Sequence, residues 1–191
     1  MSFPVFDLHC DTALGLWHEK KSLWDNDGHI SLKRAGELPG YAQCFAFFCS
    51  FGKEKAPELF EEAYGYFQRE LAKNEEKAVQ CRTAQDAARA LQEGRTAAFL
   101  TIEGAESLAC DPGRLEDARE KGIVMTGLTW NFENALSGSC KTGTGLTETG
   151  RAFVRRAQEL GILVDTSHLS ERGFYDICDI TQGPVIASHS N

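Results

Sequence analysis

The sequence predicts an α/β protein built on a parallel sheet, and three observations carry that reading. Six apolar, β-like runs, at 3–8, 42–50, 96–102, 123–129, 162–167 and 184–188, recur along the 191 residues. Between several of them the apolar residues switch to helical spacing, and strands separated by helices imply right-handed βαβ units. The polar residues that break the pattern gather where the runs end. Parallel sheets place their chemistry at the carboxyl ends of strands, so those residues are the candidates for function.

Taken in order, the first run ends at His9 and Asp11, and residues 20–39, with Asp25, Asn26, Asp27, Gly28 and His29, make a long excursion. After the second run Pro57 opens a helix in which Leu59, Phe60, Ala63, Tyr64, Phe67 and Leu71 share one face. Thr83 and Asp86 form a capping arrangement for a second helix, whose Ala87, Ala88 and Leu91 stripe is closed by Gly94. The third run ends on Glu103. Residues 131–146 contain Gly138, Gly143 and Gly145 and no apolar period, which predicts a long loop of the kind that covers or lines sites. Thr147 then opens a helix with Phe153, Val154, Ala157 and Leu160 on one face and Gly161 at its C-terminal end. Ser170 caps a last helix through Phe174, Ile177 and Cys178. With no internal repeat, low-complexity tract or linker, residues 1–191 are expected to be a single domain. A closed barrel needs about eight strands, so six predict the N-terminal part of a (β/α)8 TIM-type barrel, incomplete at the C-terminal end of this chain. An open six-stranded sheet is the alternative.

Composition narrows the function classes. A hydrophobic share of 42% with 25% charged residues is that of an ordinary globular domain. The formal charge of −8 offers no footprint for nucleic acid or an anionic membrane. Seven cysteines without a CxxC pair, and no signal-like N-terminus, lead us to expect reduced thiols in a cytoplasmic protein. No apolar stretch approaches the ~18 residues of a membrane span.

Metal chemistry is what the strand ends suggest. His9 and Asp11 lie two apart, so on an extended segment an imidazole and a carboxylate project to the same side. His168 and His189 follow the fifth and sixth runs. Glu103, next to Phe99 and Ile102, would bury a carboxylate, which costs several kcal/mol unless a cation or hydrogen bonds compensate. Each residue alone has a plainer explanation, a backbone-satisfied histidine or a solvent-facing glutamate. Four strand ends carrying ligand types together point to one metal site.

Six segments resemble one family. Asp7-Leu8-His9-Cys10-Asp11-Thr12, Ile102-Glu103-Gly104-Ala105-Glu106-Ser107, Gly127-Leu128-Thr129-Trp130-Asn131, Gly145-Leu146-Thr147-Glu148-Thr149-Gly150, Leu163-Val164-Asp165-Thr166-Ser167-His168-Leu169-Ser170 and Ile186-Ala187-Ser188-His189-Ser190-Asn191 are similar to those of the membrane (renal) dipeptidase family of zinc peptidases. The resemblance implies two Zn2+ ions, the first on His9 and Asp11 and the second on His168 and His189, with Glu103 bridging them as the catalytic carboxylate. It implies hydrolysis of a dipeptide's peptide bond by a bridging water acidified towards hydroxide, without a covalent enzyme intermediate. Trp130 and Asn131 would face the substrate. Many relatives carry a histidine where Trp130 stands, and an indole N–H can donate a hydrogen bond but cannot carry charge or act as an acid. The family's proton-shuttling acidic residue and its basic carboxylate-gripping residue would lie beyond Asn191, so this chain by itself is expected to be a poor enzyme. Unpaired strand edges are compatible with a homo-oligomer. Three rival readings are a phosphoesterase, whose opening motif normally has a second His where Asp11 stands; a cyclic amidohydrolase, which often uses a carbamylated Lys absent from 123–129; and a non-catalytic metal-binding scaffold.

Overall fold

A computed structural model describes residues 4–49 and 54–190; residues 1–3, 50–53 and 191, and with them the expected strand positions Phe3 and Ser50, lie outside the described residues. The strands are β1 (Val5–Cys10), β2 (Tyr41–Phe48), β3 (Ala78–Gln80), β4 (Thr96–Glu103), β5 (Ile123–Gly127), β6 (Leu163–Asp165) and β7 (Val185–Ile186). The helices are α1 (Thr12–Glu19), α2 (Leu32–Ala35), α3 (Ala56–Lys73), α4 (Ala84–Gln92), α5 (Leu115–Glu120), α6 (Glu148–Glu159) and α7 (Glu171–Ile180). Each of the six expected runs overlaps a strand. The elements that the sequence reading did not anticipate, β3, α1, α2 and α5, run for three to eight residues, too short for a period to stand out.

The chain divides into two compact units, residues 1–47 with 61–101 and residues 48–60 with 102–191; β4 begins in the first and ends in the second. In the first unit β1 and β2 are parallel, and β3 runs parallel to β4 with Ala78, Val79 and Gln80 opposite Thr96, Ala97 and Ala98. The long face of α3 predicted from its spacing is buried: the Phe67 ring lies 4.8 Å from that of Phe45 and 6.1 Å from that of Phe47. The excursion at 20–39 is tied to α3 by the buried Glu70 carboxylate, which accepts the Leu23 N–H at 2.9 Å and the Lys73 ammonium at 2.7 Å. Burial alone would raise the Glu70 pKa, but these donors outweigh it and hold the group below its usual range. Thr83 and Asp86 form the expected reciprocal capping box of α4.

In the second unit β5, β6 and β7 are parallel, with Gly127 opposite Asp165 and Asp165 opposite Ile186. Helix α6 buries Phe153, Val154 and Ala157, and α7 buries Ile177. Thr147 and Ser170 cap these helices by accepting the Gly150 and Gly173 N–H groups at 3.0 and 2.8 Å. The 131–146 segment is irregular, as its composition predicts, and is laced down at many points. The Asn134 side chain accepts the Leu136 N–H at 2.9 Å and donates to the Leu128 carbonyl at 2.7 Å. The Ser139 hydroxyl donates to the Asn131 carbonyl at 3.0 Å. At the far end, the buried Asp176 carboxylate accepts the Leu146 N–H at 2.9 Å and pairs with Arg172 at 3.0 Å and Arg151 at 3.3 Å.

Candidate metal centre

In the second unit, strand register places the ligand-type side chains. Gly127, Asp165 and Ile186 are lateral neighbours, and three residues beyond each of them stand Trp130, His168 and His189. Equal offsets from a common register make these side chains neighbours too. The rings of His168 and His189 are 4.8 Å apart, and Trp130 lies 6.4 Å from His168. Both histidines sit beyond the strands that were expected to run up to them: β6 stops at Asp165 and β7 at Ile186, because the Asp165 side chain, by accepting the Ser167 N–H at 3.0 Å, turns the chain out of the sheet. His168 adopts the left-handed conformation with φ 64°. A non-glycine residue there is strained and needs its surroundings to hold it. Its carbonyl accepts the Cys140 N–H at 2.8 Å and the Thr129 hydroxyl at 3.4 Å, so the 131–146 loop supplies that support.

Glu103 ends β4 with its side chain only 9% exposed, and Oε1 lies 2.9 Å from His168 Nε2 and 3.5 Å from His189 Nε2. The two Nε2 atoms are themselves 2.8 Å apart. One carboxylate oxygen and two imidazole nitrogens therefore face a common point, the donor set that borderline divalent cations such as Zn2+ take. The residues present fit a metal ion. Its charge would also offset the cost of burying the Glu103 carboxylate.

In the first unit, the pairing of β1 with β2 slips between Asp7 and Cys10, where Cys10 faces Phe45 although Asp7 faces Gln43. Such an irregularity re-aims side chains at a strand end. The Asp7 carboxylate accepts the His9 N–H at 3.0 Å across it. Asp11 is not extended as the sequence reading assumed. It is the N-cap of α1, with φ −88° and ψ 11°, and its side chain makes no capping hydrogen bond. It turns instead to His9, whose Nε2 is 3.5 Å from Asp11 Oδ1, so the pair shares a side by a different backbone route. Between them, burial pushes the Cys10 thiol up to about 12. A cleft of about 610 Å3, lined among others by His9, Asp11, Glu19, Lys21, Asp27 and His29, opens beside this pair.

Trp130 packs its ring 4.5 Å from Phe48 and 5.7 Å from Phe132, an aromatic wall beside His168. Asn131 contributes its carbonyl to the loop's own bracing. Asp165, Ser167 and Ser188, to which the sequence assigns no role of their own, link the two histidine segments. The Asp165 carboxylate accepts both the Ser167 N–H at 3.0 Å and the Ser188 N–H at 3.1 Å. The signal that could have found them is the Ser-His pair occurring at both strand ends with an aspartate before the first.

Over residues 1–191 the chain matches the family model of the membrane dipeptidases, peptidase family M19. It is similar to the crystal structure of a metallo peptidase from Rhodobacter sphaeroides liganded with a phosphinate mimic of the dipeptide L-Ala-D-Ala, with 27% identity and a TM-score of 0.88 over 100% of this chain and 66% of that one. The crystal structure of dipeptidase AC, a metallo peptidase of family M19, is likewise similar, with 28% identity and a TM-score of 0.84 over 100% of this chain and 64% of that one. A protein of the PQQ-III 3' region of Acinetobacter calcoaceticus is 29% identical over 98% of this chain and 70% of its own length. The chain thus spans just under two thirds of the length of these solved structures. The likeness bears out the fold class read from the sequence, α/β with the N-terminal strands of an incomplete (β/α)8 barrel.

Proposed function

The chain belongs to the membrane dipeptidase family, peptidase family M19, and from that premise we propose that it acts as a zinc-dependent dipeptidase. The observation that carries the proposal is the approach of His168 Nε2, His189 Nε2 and Glu103 Oε1 to within 3.5 Å of one another. We assign His168, His189 and Glu103 to one ion and, as the resemblance implies, His9 and Asp11 to a second. When bound, the two ions supply an acidified water as nucleophile and a Lewis acid for the scissile carbonyl. The protein's part is to fix that arrangement and to receive the substrate. Glu103 brings an anionic charge into a desolvated place, where it would offset the charge of a bound metal ion. The aromatic wall of Trp130 and Phe132 excludes water from one side and, with Asn131, faces the dipeptide. Trp130 orients and shields but moves no proton, because its indole N–H only donates. The cleft beside His9 and Asp11 is of a size for a small polar ligand.

The Rhodobacter sphaeroides peptidase was crystallised with a mimic of L-Ala-D-Ala, which makes short dipeptides, including those with a D-residue at the C-terminal position, the class to assay first. No helix among the described residues is long and apolar enough to cross a membrane. All seven cysteines are free, which supports a reducing, cytoplasmic setting. The test is release of free amino acids from such dipeptides by the zinc-loaded protein and by its Glu103→Gln variant. Hydrolysis that disappears on chelation, returns with zinc and is lost in the variant is the expected result. Because this chain by itself is expected to be a slow enzyme, the rate is read against the Glu103→Gln variant, and a zinc-loaded protein no faster than that variant would overturn the proposal.

A further inference from the structure

We propose that Asp165 is a positioning residue that fixes the tautomer of His189 through Ser188, so that Nε2 carries the lone pair offered to a metal. The inference rests on the metal reading of Glu103, His168 and His189 given above. Asp165 is buried at the end of β6 and binds both histidine segments at once. Its Oδ1 accepts the backbone N–H of Ser167 at 3.0 Å and of Ser188 at 3.1 Å, and its Oδ2 accepts the Ser188 hydroxyl. The Ser188 Oγ in turn lies 2.8 Å from His189 Nδ1. A second serine closes the arrangement, for Ser167 Oγ accepts the His189 N–H at 3.2 Å.

The polarity of this chain of groups is set from its buried end. A carboxylate only accepts, so the single Ser188 hydroxyl proton is directed to Asp165. The Ser188 oxygen is then the acceptor for His189, which places the imidazole proton on Nδ1 and leaves Nε2 as the basic nitrogen. Nε2 is the atom that faces Glu103 and His168. Metal-bound histidines commonly donate their other ring N–H to a carboxylate or carbonyl, which orients the ring and raises its basicity. Here a serine hydroxyl lengthens that link by one group and lets one carboxylate brace two neighbouring strand ends.

Asp165→Asn tests the polarity with little change of shape. The amide oxygen can still accept the two backbone N–H groups, while the amide N–H2 replaces Oδ2 and donates to Ser188. The Ser188 hydroxyl, no longer directed to Asp165, then has His189 Nδ1 at 2.8 Å as its nearer acceptor, ahead of Ser167 Oγ at 3.4 Å, which moves the imidazole proton to Nε2. Two-bond 1H–15N spectra of the metal-free chain read this directly: Nδ1–H is expected for His189 in the parent and Nε2–H in Asp165→Asn. Zinc titration is the second readout, with one of the two equivalents expected to bind about 10- to 100-fold more weakly in Asp165→Asn. Should Asp165→Asn fail to fold, Ser188→Ala and Ser188→Thr carry the same test, since alanine removes the relay and threonine keeps its hydroxyl. The parent tautomer is then expected in Ser188→Thr and a mixture of tautomers in Ser188→Ala. An Nε2–H tautomer in the parent, or Nδ1–H unchanged in Asp165→Asn or Ser188→Ala, would overturn the inference. The stated tautomers in a chain that binds no zinc at all would support the relay and sink the metal reading instead.

Discussion

Replacing Asp176 by Asn removes the charge that anchors the 131–146 loop to α7. The carboxylate is 3% exposed and holds three donors, the Leu146 N–H at 2.9 Å, Arg172 at 3.0 Å and Arg151 at 3.3 Å. Hydrogen bonds to a buried charge contribute about 1.5–3 kcal/mol each. Arg172 is 68% exposed, so solvent screens its share to under ~1 kcal/mol. Asn keeps one acceptor, which leaves a net loss of about 2–3 kcal/mol from the Leu146 and Arg151 contacts. With a urea slope of roughly 2 kcal/mol/M, the unfolding midpoint should fall by about 1–1.5 M at pH 7. The difference should depend on pH in a definite direction. Burial would raise the Asp176 pKa, but Leu146, Arg172 and Arg151 outweigh it and hold it below the usual carboxylate range. A depressed native pKa contributes stability that is present above the unfolded value of about 3.9 and is lost as pH falls through the native one. Midpoints by circular dichroism at pH 7 and pH 3 should therefore show a gap that narrows on acidification. No gap at pH 7, or the same gap at pH 3, would refute the anchoring role.

Gly150→Ala should destabilise the protein by at least about 2 kcal/mol, because an added Cβ would come within 2.1 Å of the Leu136 carbonyl oxygen, a backbone atom that cannot step aside; thermal unfolding checks it. Glu103→Gln should weaken zinc binding far more than Glu106→Gln, since Glu106 receives an N–H from Asn134 at 3.1 Å and braces the loop. Equal effects in a metal titration would argue against a ligand role for Glu103. Thiol titration at pH 8 in the folded state should find Cys140 and Cys178 fast and the others slow, because the first two are exposed whereas burial pushes Cys49, Cys81 and Cys110 up to about 11. Rapid reaction of a third thiol would contradict that order.

The sequence made the long elements legible because each carries a period. The face of α3 and the fully buried run of β4 are cases where burial is uniform along one side or along the whole strand. The ligand types were legible for a different reason: His9, Glu103, His168 and His189 interrupt apolar runs, and a polar residue placed there needs a partner. The backbone that presents them was not legible. His168 at a positive φ and the slipped register before Cys10 depend on hydrogen bonds to residues far along the chain or on strand pairing, and Asp11 turns from its helix towards His9 with no periodic signal to mark it. Asp165 and Asp176 were missed on the same account, since a buried aspartate has no periodic signature and acquires its meaning from the donors that fold around it.

His168, His189 and Glu103 are proposed to hold a catalytic metal. Crystals of the chain grown with zinc, measured on both sides of the zinc absorption edge, test it most directly. An anomalous peak is expected about 2.0–2.2 Å from His168 Nε2, His189 Nε2 and a Glu103 oxygen, with a second peak at His9 and Asp11. Zinc bound only elsewhere, or three side chains left in mutual hydrogen bonds at saturating zinc, would contradict it.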